Sequence, residues 1–91
     1  MTEDRCIIVY GTRWCPDCHR ACKILGRRKI PYEYIDINRD SQARTYVEQV
    51  NNGNRSVPTI LFPDGDILVE PSNSALNAKL GTVGLSLVSE G

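Results

Sequence analysis

The stretch CIIVYGTRWCPDCHRACKIL, residues 6–25, changes its hydrophobic period halfway along, and that change decides the fold. Cys6 to Tyr10 is a continuous run of β-branched and aromatic residues closed by Gly11-Thr12, which predicts a strand buried on both faces. From Pro16 to Arg28 the apolar residues recur at helical spacing instead. Cys18, Ala21, Cys22 and Leu25 fall at i, i+3, i+4 and i+7, with Asp17, His19, Arg20, Lys23 and Arg27 between them. Pro16 suits the first position of such a helix, where its missing N–H costs nothing. A buried strand therefore feeds an amphipathic helix through the loop Gly11 to Cys15.

Reading outward, Ile30-Pro31 ends the helix, and Tyr32 to Ile37 alternates as a second strand. Asp40 or Ser41 can cap a second helix with Ala43, Tyr46, Val47 and Val50 on its apolar face, stopped by Asn51-Asn52-Gly53. Thr59 to Phe62 is a third strand. Pro63-Asp64-Gly65-Asp66 is a hairpin turn into an antiparallel fourth strand, Ile67 to Val69. Pro71-Ser72-Asn73 begins a last helix that should run to Leu80 and stop at Gly81, leaving residues 81–91 as a flexible tail on an ordered core of about residues 6–80. The order β-α-β-α-β-β-α predicts an α/β three-layer sandwich in one domain spanning residues 1–91. Its four-stranded mixed sheet is expected to have parallel central strands, because β-α-β crossovers are right-handed. The first strand is then central, and the loop after it lies where open α/β sheets place their active sites.

Composition narrows the function. With 91 residues, 41% hydrophobic and 24% charged, the chain has room for one core. Lys+Arg and Asp+Glu both number 11, so no bulk positive field points to a nucleic acid. No apolar run approaches a membrane span. Met1 to Arg5 carries acids where a signal peptide would be basic, so a cytoplasmic protein is expected. In that compartment thiols stay reduced, and cysteines crowded into the first quarter of the chain (Cys6, Cys15, Cys18 and Cys22) mark a site more than a scaffold.

The chemistry centres on Trp14-Cys15-Pro16-Asp17-Cys18 at the strand-to-helix junction. Unpaired N–H groups and the positive end of the helix dipole favour an anion at Cys15, which predicts the nucleophile. Cys18, one turn on and more buried, is the resolving thiol that attacks a mixed disulfide formed on Cys15. Asp17 opposes the thiolate by Coulomb repulsion and is expected to tune the pKa of the site. Other readings of these letters fare worse. Cys15 to His19 matches a c-type haem attachment pattern, but that chemistry needs export and a further axial ligand, and Met1 is the only methionine. Structural zinc needs four ligands, commonly in paired sets, so no metal is expected. A second signal is Ser56-Val57-Pro58-Thr59: proline at the entry to a central strand removes a ladder donor. A cis bond there would turn the backbone of Val57 toward the dithiol; a plain strand-entry proline would not.

WCPDC after a first strand, SVPT before the third, the Asp64-Gly65 hairpin and the element order together resemble a glutaredoxin, a small thioredoxin-fold dithiol oxidoreductase, over about residues 6–80. Asn52 to Thr59, Asp64-Gly65 and Pro71-Ser72 are especially similar to the mycoredoxin branch, which uses mycothiol in place of glutathione. The resemblance implies a thioredoxin-like fold, Cys15 as nucleophile, Cys18 as resolving cysteine, and Val57 with a cis Pro58 as a clamp on the substrate backbone. It also implies cell redox homeostasis as the setting, disulfide-containing proteins as substrates, a low-molecular-weight thiol (mycothiol or glutathione) as co-substrate with no bound cofactor, a disulfide reductase for recycling, and a monomer. Thr12 beside Arg13, and Leu68-Val69-Glu70-Pro71, stand where glutathione-using members often carry a basic residue and a glycine pair for the tripeptide's carboxylates. Two alternatives share the motif. One is a module in which two chains hold an iron–sulfur cluster through Cys15 and external thiols, which Pro16 disfavours by removing an N–H. The other is a redoxin recycled by thioredoxin reductase.

Smaller features have mostly structural readings. Cys22 reads as a packed small hydrophobe, Cys6 as core and His19 as an exposed helix residue. Trp14 and Arg13 flank the nucleophile and are candidate substrate contacts. Residues 1–30 hold seven Lys or Arg against three acids, a basic flank able to steer an anionic thiol or an acidic protein disulfide.

Overall fold

The computed structural model describes residues 6–88, with side chains through residue 81. Strands β1 (Ile7–Gly11), β2 (Tyr32–Asp36), β3 (Thr59–Leu61) and β4 (Ile67–Val69) alternate with helices α1 (Pro16–Arg27), α2 (Ser41–Val50) and α3 (Asn73–Val88) in the expected order. The sheet runs β2-β1-β3-β4, so β1 is central.

Only one pair is parallel. β1 and β2 run together, while β3 is antiparallel to both β1 and β4. The expected parallel central strands are thus corrected: the crossover through α1 places its parallel partner at the edge. The register shows why. Gly11 ends β1 opposite Asp36 at the end of β2, and Tyr10 near the same end faces Thr59 at the start of β3. Helix α2 and the segment 51–58 therefore leave and rejoin the sheet at one end, and β3 must enter it pointing the other way.

Alternation along β1 divides the core. Ile7 and Val9 join Ile60 and Phe62 beneath Ala21, Ile24 and Leu25 of α1 and Leu76 and Leu80 of α3. On the other face Tyr10 packs with Ile37 under Ala43 and Val47 of α2, and Tyr46 stacks obliquely on Tyr10 at 5.1 Å between ring centroids. Two helices cover one face and one covers the other, with each large buried aliphatic side chain contributing about 1.5–3 kcal/mol. On α1 the buried stripe is Cys18, Ala21, Ile24 and Leu25; Cys22, expected on it, is half-buried at its border.

Local chemistry sets the ends of the elements. Asp40 caps α2 by accepting from the Ala43 N–H at 3.0 Å. Ser72 does the same for Ala75 at the start of α3. Gly65 takes φ +95° in the β3–β4 turn, the left-handed conformation that favours glycine there. The expected stop at Gly81 is corrected. Gly81 keeps a right-handed backbone, and α3 runs on to Val88, so residues 81–88 are helix where a tail was expected. One glycine costs a helix about 1 kcal/mol, too little to end it where no proline follows. Residues 89–91 lie outside the described residues.

Candidate active site

Cys15 is the N-cap of α1, with extended backbone (φ −91°, ψ 110°) and Pro16 as the first helical residue. Its Sγ accepts a hydrogen bond from the Cys18 N–H at 3.2 Å, while its carbonyl accepts the first helical bond from His19 N–H. The sulfur thus occupies the place of a capping oxygen, facing the unpaired N–H groups and positive end of the helix, where negative charge is stabilised. It is partly exposed.

Cys18 is fully buried. Burial pushes its thiol up to about 12, and its hydrogen bond with Cys15 adds to the rise; the Thr12 backbone and the Tyr34 hydroxyl pull the other way. Cys15, Cys18 and Cys22 are free thiols. One sulfur at a helix N-terminus in reach of solvent and one sheltered beneath it differ in access and surroundings, the asymmetry a sequential dithiol exchange uses.

Two residues that the sequence reading passed over belong to this site. Tyr34, on β2 opposite Val9, lies over the face covered by α1 and donates its hydroxyl to the Thr12 carbonyl at 2.5 Å. Gly11 lies beneath it: a Cβ at this position would meet Tyr34 Oη at 2.5 Å and Cys18 Sγ at 2.6 Å. In the sequence Gly11 reads only as the close of a strand and Tyr34 as one member of an alternating pattern.

The other candidates sit around this centre. Trp14 is 83% exposed, with the Arg13 guanidinium 5.6 Å from its ring centroid, a cationic aromatic rim beside Cys15. Asp17 pairs with Arg20 at 3.2 Å, both largely exposed, so its charge is partly matched on its own helix face. Val57 is half-buried and the bond between it and Pro58 is cis. Pro58 is buried, its carbonyl accepts from the Glu70 N–H at 2.8 Å, and it enters β3 at the end of the sheet where β1 leads into the dithiol loop. Buried Thr59 ties this entry down, donating to the Ser56 carbonyl at 2.7 Å and accepting from the Asn51 amide at 3.2 Å. His19 is exposed, and Cys22 is half-buried with its thiol raised by burial and in contact with the Tyr32 hydroxyl. Among the described residues no group of three or more His, Cys, Asp or Glu could hold a metal ion.

The glutaredoxin family model matches residues 7–67. A Mycobacterium tuberculosis protein that carries a glutaredoxin name is 40% identical over 74 residues, which covers 81% of this chain and 88% of that protein. Mycoredoxin 1 of Corynebacterium glutamicum is 36% identical over 74 residues, covering 81% and 91% of the two chains. Among solved structures, the thioredoxin-like protein BC3987 superposes with a TM-score of 0.66 at 26% identity, covering 85% of this chain and 97% of its own.

Proposed function

This chain belongs to the glutaredoxin family, and from that membership we propose that it is a dithiol–disulfide oxidoreductase working through Cys15 and Cys18. The observation that carries the proposal is the placement of Cys15 Sγ as the helix cap, accepting from the Cys18 N–H above a buried Cys18 thiol. The Cys15 thiolate attacks one sulfur of a substrate disulfide, the other sulfur leaves as a thiolate and takes up a proton, and a mixed disulfide remains on Cys15. Cys18 then attacks Cys15 Sγ, giving the Cys15–Cys18 disulfide and releasing the substrate's second thiol. A low-molecular-weight thiol and a disulfide reductase return the pair to the dithiol.

Trp14 and Arg13 form the rim on which the substrate rests, and the backbone at Val57-Pro58 lines its path. Similarity to mycoredoxin 1 favours mycothiol over glutathione as the small thiol. We place this activity in a single-domain monomer of the cytoplasm acting on protein and mixed disulfides; no helix among the described residues is long and apolar enough to cross a membrane. The test is turnover of one mixed-disulfide substrate with mycothiol, glutathione and thioredoxin reductase supplied in parallel, repeated with Cys15→Ser and Cys18→Ser. Cys15→Ser should abolish reduction, since a hydroxyl cannot supply the attacking anion at neutral pH. Cys18→Ser should leave a trappable mixed disulfide on Cys15. A dead Cys18→Ser that traps nothing, beside an active Cys15→Ser, would reverse the two roles.

A further inference from the structure

The resolving step has a physical difficulty. Cys18 must carry negative charge as its sulfur attacks, yet it is fully buried and its thiol is held by that burial far above the ordinary range. Water cannot solvate the developing thiolate, so a donor within the protein has to. Among the described residues the titratable groups bearing on this sulfur are Cys15 from its own helix and Tyr34 from β2; Tyr34 in turn faces Cys18, Cys22 and Cys15.

Geometry singles out Tyr34. Its Oη and Cys18 Sγ both crowd the same side of Gly11, at 2.5 and 2.6 Å from the point a Cβ would occupy, so the two atoms are at most about 5 Å apart. The hydroxyl already donates, at 2.5 Å, to Thr12. The Thr12 backbone also bears on the Cys18 thiol, and rotation about the phenolic C–O bond redirects the proton without moving the ring. Burial first, and the neighbouring thiols second, hold the phenol above its ordinary value, so it keeps its proton at neutral pH and acts as a donor, not as a base.

We infer that Tyr34 is the hydrogen-bond donor to the resolving sulfur: its O–H turns from the Thr12 carbonyl to Cys18 Sγ as that sulfur takes on charge in attacking the mixed disulfide. The inference rests on the dithiol reading above. In the step, the bond between Cys15 and the substrate sulfur breaks and the Cys15–Cys18 bond forms. The electron pair of the broken bond leaves with the substrate thiolate, and the Cys18 proton passes to that thiolate directly or through solvent. Cys15 and Cys18 are oxidised together, the substrate disulfide is reduced, and Tyr34 begins and ends protonated.

Stopped-flow reaction of the full reduced chain with a chromogenic aromatic disulfide, dithiobis-nitrobenzoate, at half the protein concentration separates the steps. The first coloured thiol is released by Cys15 in a bimolecular phase. The second is released by Cys18 in an intramolecular phase whose rate does not depend on reagent concentration. Tyr34→Phe should leave the first phase unchanged and slow the second about tenfold, with the pH midpoint of the second phase raised by about one unit, the size of one hydrogen bond to a charged acceptor. Site-specific 3-fluorotyrosine at position 34, a stronger donor of the same shape, should move that midpoint down. An unchanged second phase in Tyr34→Phe, equal slowing of both phases, or no opposite shift with fluorotyrosine would overturn the inference while leaving the dithiol reading standing. Failure of the wild-type chain to release the second thiol would overturn the dithiol reading itself.

Discussion

Replacing Gly11 by alanine tests the packing on which the site depends. Gly11 is a strand residue with no positive φ, so it is glycine for space and not for backbone freedom. An added methyl would lie 2.5 Å from Tyr34 Oη, 2.6 Å from Cys18 Sγ and 3.0 Å from Tyr34 Cζ, where ordinary contacts need about 3.5–4.0 Å. Roughly 1 Å of movement is required. Neither neighbour gives way freely, since Cys18 is locked in the buried face of α1 and the Tyr34 hydroxyl is tied to Thr12. Overpacking of this kind costs about 1–3 kcal/mol, and two simultaneous clashes place Gly11→Ala at the upper end, about 2–3 kcal/mol. With a urea m-value of about 1 kcal/mol/M for a small domain, the unfolding midpoint of the reduced protein should fall by about 2–3 M. Cys18→Ala removes the sulfur the methyl meets, so in that background Gly11→Ala should cost at least about 1 kcal/mol less, a coupling expected only between touching residues. A midpoint shift worth less than about 0.5 kcal/mol, or the same penalty in both backgrounds, would refute the packing argument.

Lys79 reaches from α3 to Asp64 at 2.6 Å and Asp66 at 2.5 Å in the β3–β4 turn and lies over the Phe62 ring. Its hydrogen bonds hold the Asp64 carboxyl below its ordinary 3.8 and the lysine above its ordinary 10.5, so the latch is complete between those values. It is lost as pH falls through the folded carboxyl value or rises through the folded lysine value, and Lys79→Met should flatten both limbs of the stability–pH curve that urea titrations trace. Thr59→Val removes the donor to the Ser56 carbonyl and one of the two acceptors of the Asn51 amide and should cost about 1–3 kcal/mol in urea unfolding, with Thr59→Ser recovering most of it. Asp17→Asn should speed iodoacetamide alkylation of Cys15 and Arg20→Gln should slow it, each about two- to threefold at low ionic strength, because Arg20 screens the carboxylate. Both effects should shrink in about 1 M salt, and salt-independent rates would remove Asp17 from the electrostatics of the site.

What was legible in the sequence is what short-range chemistry dictates. The switch from a continuous apolar run to a helical period at residues 6–25 fixed both the first strand and the helix, and with them the place of Cys15 and Cys18. The cap at Asp40 and the turn at Asp64-Gly65 are equally local, since side chain and backbone partner lie within a few residues of each other. The direction of β3 was not legible, because it depends on which end of the sheet receives the chain after α2, and no residue between 37 and 58 encodes that locally. Gly81 misled for a related reason: a glycine stops a helix where it takes the left-handed conformation itself, and here Gly81 keeps a right-handed backbone within α3.

The parts of the site that escaped sequence reading, Gly11 and Tyr34, are those whose role exists only across strands. Pairing of Val9 with Tyr34 sets the phenol on the α1 face, and from there it reaches the Thr12 carbonyl, 22 residues away in sequence, and Cys18. A register shifted by one residue would put Glu33 or Ile35 in its place, since side chains alternate between the faces of a sheet. The same β1–β2 register that buries Val9 therefore also delivers a hydroxyl to the buried sulfur, and the absence of a side chain at Gly11 leaves room for the two to meet. The dithiol motif supplies the two sulfurs, but the polarity around the inner one is set by the strand beside it.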